Sequence, residues 1–158
     1  MLKQFCEWLQ ATPLAVSISE NWFPAVESVH VIALSLVVGT IFIVDLRLVG
    51  LSTPSLGLRY LAERVTPWTW KAFLLAAITG GLLFAANATT YYDNVPFRIK
   101  LVLLALAGIN MAYFQLVTFR NVAQWDTGKP AAAARFAGVL SLVLWTGVII
   151  SGRWIGFV

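Results

Sequence analysis

The only histidine of this 158-residue chain, His30, lies near the start of a long apolar segment, three residues after Glu27. On a helix that spacing puts the imidazole and the carboxylate on one face. An imidazole in apolar surroundings can ligate a metal or haem iron, carry a proton, or join two helices through a hydrogen bond. The charged groups that the fold brings to the same depth decide between these roles.

Three cations lie towards the ends of other apolar segments. Arg98 and Lys100 open one segment, and Arg153 lies about one turn from the end of another. If the segments cross a membrane in alternating directions, these cations reach the same side and a similar depth as Glu27 and His30. Charged groups inside a span usually face the bundle interior and pair with each other, because exposure to lipid is costly. We therefore predict a polar pocket in the outer leaflet, formed by these five residues.

Two interpretations of this pocket stay open. It could be an ion-pair network that only locks the helices, with its cations extending to the headgroups. Alternatively, its excess positive charge could be neutralised by an anion, a lipid headgroup or the carboxylates of haem b. In a haem site His30 would be the ligand to the metal, and Arg98, Lys100 or Arg153 would neutralise the propionates. Because the chain has one histidine, a second ligand would be Met111, a lysine, water or His30 of another subunit. A five-coordinate haem, or one shared between two chains, fits better than ligation by Met111, which lies at a different depth from His30.

A second polar pair, Asp45 and Arg47, lies at the other end of the His30 segment. Two residues apart on a helix, these side chains point away from each other and cannot easily pair. We expect Asp45 to point inward, towards an Arg or Lys of another helix, and Arg47 to extend to the headgroups. The pair is interpreted as an anchoring layer with a structural role.

The composition indicates the environment of these groups. Hydrophobic residues make up 59% of the chain and charged residues 11%, whereas soluble domains carry about 25% charged residues. The sequence therefore predicts an integral membrane protein whose first partner is the lipid bilayer. The net charge of +4 is modest and is attributed to loops rather than to a nucleic-acid partner. A homo-oligomer or a larger membrane complex stays open.

Four apolar segments are long enough to carry these groups across a membrane. We predict an all-α bundle of four transmembrane helices in one domain, 1–158, with spans at about 24–48, 71–89, 98–119 and 135–157. The polar segment after the first span is expected to be a loop that is partly helical. Before the spans, Phe5, Trp8 and Leu9 would share one face of an N-terminal interfacial amphipathic helix.

Orientation follows from the basic residues. Seven of the 11 lysines and arginines lie in or beside the connections that follow the first and third spans. The positive-inside rule then places both termini on the outer face of the membrane.

Four stretches carry a resemblance to a known family: "WLQATPLAVSISENWFPAVESVHVIALSLVVGTIFIVDLRLVGL", "PWTWKAFLLAAITGGLLFAAN", "FRIKLVLLALAGINMAYF" and "SLVLWTGVIISGRWI". Together they resemble a bacterial four-helix membrane family of unknown function, which implies the bacterial inner membrane, with the termini in the periplasm. A histidine early in a span, "DLRL" and a lysine opening "KLVLLALAG" are distantly similar to membrane haem-associated protoporphyrinogen oxidases and to copper-resistance inner-membrane proteins. The oxidase resemblance implies functional roles for His30 and Lys100. Gln115 stands where the uncharacterised family often has a histidine.

Other functions are weighed against a haem-binding, redox-linked protein. The chain could be a non-catalytic membrane subunit or scaffold that binds lipid or quinone. It could also conduct protons or anions through Glu27, His30 and Lys100. A copper route is disfavoured because the chain has two methionines, one cysteine and one histidine. A hydrolase is disfavoured because no serine or cysteine lies in a nucleophile-elbow context, and whether the chain is an enzyme stays open.

Overall fold

The computed structural model describes residues 1–51, 57–124 and 130–157, and every regular element within these ranges is helical. The α-helices are α1 Leu2–Gln10, α2 Pro13–Ser17, α3 Phe23–Val49, α4 Leu58–Ala86, α5 Ala88–Asp93, α6 Val95–Tyr113 and α7 Ala132–Trp154. A π-helical turn, Ile18–Trp22, joins α2 to α3, and a second, Phe114–Thr118, extends α6. Short 3-10 helices follow at Phe119–Gln124 and Ile155–Phe157.

Four of these helical stretches are long and apolar enough to cross a membrane: Pro13–Val49, Leu58–Ala86, Val95–Thr118 and Ala132–Phe157. The predicted all-α fold with four candidate spans and an N-terminal helix is confirmed. Four crossings put both chain termini at one end of the bundle, which we call the termini side. The connections around 52–56 and 125–129 lie at the other end, the loop side.

Local sequence signals explain where the spans begin and end. Pro24 lies in the first turn of α3, where its missing N–H costs no helix hydrogen bond. The helix ends at Gly50, whose φ of 88° is a left-handed conformation that glycine adopts without strain. Asn94 is the N-cap of α6: its side-chain oxygen accepts a hydrogen bond from the Phe97 backbone N–H at 2.9 Å.

The helix α4 starts well before its apolar part. Its first turns carry charge on the exposed side, where Arg59 donates to Glu63 at 2.9 Å. Their other side buries Leu58, which packs in an apolar cluster with Leu48 and Ala134. This burial makes the polar segment after the first span an amphipathic extension of the helix.

The bundle is built mainly from two packed helix pairs, α3 with α4 and α6 with α7. Helix α3 also packs on α7. Helices α3 and α7 approach each other closely at Gly138. A β-carbon there would lie 2.8 Å from Cβ of Leu48 and 3.2 Å from the backbone oxygen of Asp45. Small residues allow such close approach of helices in membranes.

The N-terminal helix α1 is tied to the termini side. The Gln10 side-chain oxygen accepts hydrogen bonds from the backbone N–H and the hydroxyl of Thr89, at 3.1 and 2.7 Å. Within α1 the side chain of Cys6 is buried, whereas those of Phe5 and Trp8 are exposed. This arrangement fits the predicted interfacial helix, because its aromatic side chains are free to enter a headgroup layer.

Candidate functional site

Two polar layers lie in opposite halves of the bundle. His30 belongs to the termini-side half and Asp45 to the loop-side half, about 22 Å apart along α3 by helix rise. Between them the inward positions Ala33 and Val37 are both 0% exposed, and Ala72 and Ala76 of α4 are also buried. The two polar layers are therefore separated by an apolar one.

The imidazole of His30 is held by a hydrogen-bond chain into α4. Its Nδ1 lies 2.9 Å from the Thr79 hydroxyl oxygen. That hydroxyl in turn donates to the backbone oxygen of Leu75 at 2.7 Å. Because a hydroxyl has one hydrogen, a Thr79 hydroxyl that donates to Leu75 accepts from Nδ1–H, and in that tautomer a neutral His30 carries its lone pair on Nε2.

His30 and Lys100 are brought together, as the predicted pocket requires. The Lys100 charge is close enough to act on the imidazole, and the ammonium lies 3.5 Å from the position that a β-carbon of Gly152 would occupy. On its other side the His30 ring packs against Gly80, where a β-carbon would lie 2.9 Å from Cε1. Glycines on α4 and α7 thus make room for the two polar side chains.

Arg98 and Arg153 turn towards the rim instead. The Arg98 guanidinium donates to the backbone oxygen of Tyr92 at 2.9 and 2.7 Å and lies 3.9 Å from the Asp93 carboxylate. The Arg153 guanidinium lies over the Phe157 ring, 5.0 Å from its centroid. Both arginines are exposed.

Glu27 is exposed as well, and its carboxylate acts on Tyr91, an aromatic residue outside the spans. Burial raises the pKa of the Tyr91 hydroxyl, and the Glu27 carboxylate raises that pKa further. The Tyr91 ring stacks on Phe97 and Phe84, with centroids 5.4 and 6.4 Å away. Of the five residues predicted to form one pocket, only His30 and Lys100 are close within the bundle.

This placement bears on the haem and metal hypotheses. Within the described ranges no three His, Cys, Asp or Glu side chains are grouped as a metal site. A metal at His30 would therefore draw its other ligands from a cofactor, solvent or a second chain. Of the three cations expected to neutralise propionates, Lys100 is the one beside the imidazole.

The loop-side layer centres on Asp45, which is 5% exposed. It points inward as predicted, but in the described part of the chain no Lys or Arg forms an ion pair with it. The Ser141 hydroxyl of α7 faces the carboxyl group instead, and among the described residues Oδ2 has no hydrogen-bond partner. The expected cationic partner is replaced by a neutral hydroxyl.

Arg47 also differs from expectation. It is 3% exposed and does not extend towards headgroups. The cause is the close approach of α7 at Gly138, which, with the first turn of α4, covers the last turns of α3. The sequence could not reveal this burial, because it depends on which helix covers α3.

A cavity of about 590 Å³ lies directly on Asp45. Helices α4 and α6 make little direct contact with each other, and the cavity occupies the gap between them. Its aromatic lining comes from Trp70, Phe114, Phe119 and Trp145. Because Trp70 and Leu116 line the cavity and are more than half exposed, the cavity opens on the lateral surface of the bundle.

Irregular backbone forms both walls of this gap. Pro67 lies inside α4 and lines the cavity. It has no N–H to donate to the backbone oxygen of Glu63, four residues earlier. Opposite, the π-helical turn Phe114–Thr118 widens the end of α6, and such turns often occur at functional sites.

Asn110 completes the polar lining from the third span. Its side-chain N–H donates to the backbone oxygen of Ala137 at 3.0 Å, a hydrogen bond that joins α6 to α7. The cavity itself was not predicted from the sequence. The available signals were Pro67 inside an otherwise helical pattern and an inward Asp45 without a cation at a matching depth.

These features define a multi-pass helical membrane protein with a polar layer on each side of an apolar middle. The chain belongs to the family of unknown function DUF6644, whose sequence profile matches residues 17–158. This match agrees with the expected membership of an uncharacterised family. No curated protein and no solved structure matches the chain. The distant similarities to protoporphyrinogen oxidases and copper-resistance proteins therefore stay predictions.

Proposed function

We propose that this protein is a membrane-embedded binding protein for a small amphiphilic molecule, held in the cavity around Asp45. The observation that carries the proposal is the buried residue Asp45, which lines a cavity of about 590 Å³ and whose carboxyl oxygen Oδ2 has no hydrogen-bond partner in the described part of the chain. A buried polar group without a partner costs about 1–3 kcal/mol. A ligand with a polar end would remove that cost.

The size, lining and opening of the cavity support the same conclusion. Small-molecule sites typically enclose about 300–1,000 Å³ and combine apolar walls with a few polar groups. Here four aromatic side chains surround Asp45 and Asn110. The lateral opening beside Trp70 gives a molecule dissolved in the bilayer a direct path to the carboxyl group.

The experiment fills the cavity from its α7 wall. Ala137 is buried and lines the cavity, so Ala137→Leu places extra methyl groups in it. The matched control is Ala105→Leu, an exposed position of α6 outside the lining. Molecules released by denaturing each purified protein are identified by mass spectrometry.

We expect wild type and Ala105→Leu to release a small molecule above the level of bulk lipid, and Ala137→Leu to release none. Equal release from both variants, or no release above bulk lipid from wild type, would contradict the proposal.

A second candidate function is haem binding at His30, and one observation favours it. Histidines that ligate metals usually donate their other ring N–H to a neighbouring group, which fixes the tautomer. Nδ1 of His30 lies 2.9 Å from the Thr79 hydroxyl, which would fix the ring in this way in the tautomer with a proton on Nδ1. When bound, haem would supply redox chemistry, while Lys100 would neutralise one propionate.

The test is an absorption spectrum of the protein purified from haem-replete cells, oxidised and then reduced with dithionite. A Soret band that is lost in His30→Ala and kept in Asp45→Asn would support this function. A colourless wild-type preparation would rule it out and leave the Asp45 cavity unaffected.

A further inference from the structure

We infer that the ligand of the Asp45 cavity is a lipophilic organic cation, an amine or quaternary ammonium carried on an apolar body. The inference rests on the proposed function and adds the charge of the ligand. Three features of the cavity determine that charge: the acids in its lining, the direction of its hydrogen-bond donors and the faces of its aromatic rings.

Within the part of the chain that the structure describes, the charged groups of the cavity lining are acids. Asp45 is buried, and Glu63, an exposed residue that pairs with Arg59 at 2.9 Å, lines the cavity towards the loop side. Among the described residues, no Lys or Arg lines the cavity. An anionic ligand, such as a fatty acid or a lipid phosphate, would approach the buried Asp45 carboxyl group with no described lining cation to offset its charge.

Several donors near Asp45 are already used within the protein. The Thr40 hydroxyl donates to the backbone oxygen of Leu36 at 2.7 Å, and the Thr69 hydroxyl donates to Thr40 at 2.9 Å. The Asn110 amide donates one N–H to the backbone oxygen of Ala137, and its side-chain oxygen is an acceptor. The Ser141 hydroxyl faces Asp45 itself. The hydroxyl oxygens and the Asn110 oxygen therefore offer acceptors to a ligand that brings donors or positive charge.

Aromatic faces complete the match. Trp70, Phe114, Phe119 and Trp145 line the same space as the carboxyl group. Aromatic rings attract cations through their negative faces, and tryptophan does so most strongly. A neutral ligand without a donor would fill the apolar volume but would leave Oδ2 of the buried Asp45 carboxyl group without a hydrogen-bond partner in the described part of the chain, which costs free energy.

The test compares two probes of the same shape and opposite charge. Tetraphenylphosphonium is a cation and tetraphenylborate an anion, and both are lipophilic enough to reach the lateral opening. Binding to the full-length protein in detergent micelles is measured by equilibrium dialysis. Empty micelles and the cavity-filling variant Ala137→Leu provide the background for each probe.

We expect tetraphenylphosphonium to bind wild type at least about tenfold more tightly than tetraphenylborate, a difference of about 1.4 kcal/mol. Asp45→Asn keeps the shape of the side chain and removes its charge, so it should weaken tetraphenylphosphonium binding by a similar factor. Glu20→Gln removes an exposed acid far from the cavity and should leave binding unchanged. If Asp45→Asn does not fold, the comparison of the two probes on wild type decides alone.

Two other outcomes would overturn the inference. If tetraphenylborate binds wild type as tightly as tetraphenylphosphonium, and Ala137→Leu abolishes it, the cavity binds small molecules without preference for cations. In that case the proposed function survives. If neither probe binds above background, the cation preference is wrong, and the release experiment with Ala137→Leu separately decides the proposed function.

Discussion

The ring of His30 packs so closely on Gly80 that a β-carbon on this glycine would lie 2.9 Å from Cε1. The neighbouring Gly81 has nothing within 4 Å of the same position. The bond between His30 and Thr79 therefore depends on the absence of a side chain at one glycine of the pair. This relationship leads to the first prediction.

Gly80→Ala should push the imidazole away from Thr79 and lower the melting temperature, because the clash of about 1–3 kcal/mol exceeds the helix-propensity gain of about 1 kcal/mol. Gly81→Ala should leave the melting temperature unchanged or raise it. Thermal unfolding in detergent compares the two variants. Equal melting temperatures would show that the ring moves away without cost.

Gly138 provides a second prediction, at the contact between α3 and α7. Gly138→Ala would place a β-carbon 2.8 Å from Cβ of Leu48 and 3.2 Å from the Asp45 backbone oxygen. Atoms so close to the backbone cannot rotate away, so we expect a loss of about 1–3 kcal/mol in the free energy of unfolding. Gly108→Ala, with nothing within 4 Å, is the matched control. A variant as stable as this control would mean that α7 shifts freely on α3.

The attachment of α1 gives a third prediction. Gln10→Ala removes both hydrogen bonds to Thr89, at 3.1 and 2.7 Å, and should weaken the docking of α1 by about 1–2 kcal/mol. Hydrogen exchange of residues 2–10 should become faster while exchange in α3 stays the same. The control is Gln4→Ala on the exposed side of the same helix. Unchanged exchange in the Gln10 variant would show that apolar contacts alone hold α1.

The fourth prediction concerns pH. Burial and the Glu27 carboxylate raise the pKa of Tyr91 above its usual 10.0, so the folded protein holds this proton more tightly than the unfolded chain. Stability from this group is complete below pH 10 and decreases as pH rises through the raised pKa. Glu27→Gln should move the tyrosinate absorbance transition to lower pH, and Tyr91→Phe should remove that component. A transition insensitive to Glu27→Gln would leave burial as the sole cause.

Much of the fold could be predicted because hydropathy and helix rise act along the chain. The four spans, the N-terminal helix and the bond from Asn110 follow from segment lengths and from the cost of burying a polar group in lipid. The depth of a residue along its span could also be predicted, and it placed His30 at the same level as Lys100.

The direction in which a side chain points around its helix was harder to predict from the sequence. Arg98 lies four residues after Asn94, which begins α6, and from there it reaches back to the Tyr92 carbonyl rather than into the bundle. Arg47 was expected at the headgroups and is buried by helices distant in sequence. The cavity depends on a gap between α4 and α6, and no pattern within either segment specifies how closely two helices pack.

The burial of Cys6 has a practical consequence for topology. This thiol is the only one in the chain and is 4% exposed, so bulky maleimide reagents should not reach it in the folded protein. A cysteine introduced in place of the exposed Glu63 would be the single reactive position on the loop side. Labelling of intact cells with a membrane-impermeant maleimide should fail until the membrane is permeabilised, if both termini lie on the outer face. Labelling before permeabilisation would reverse that orientation.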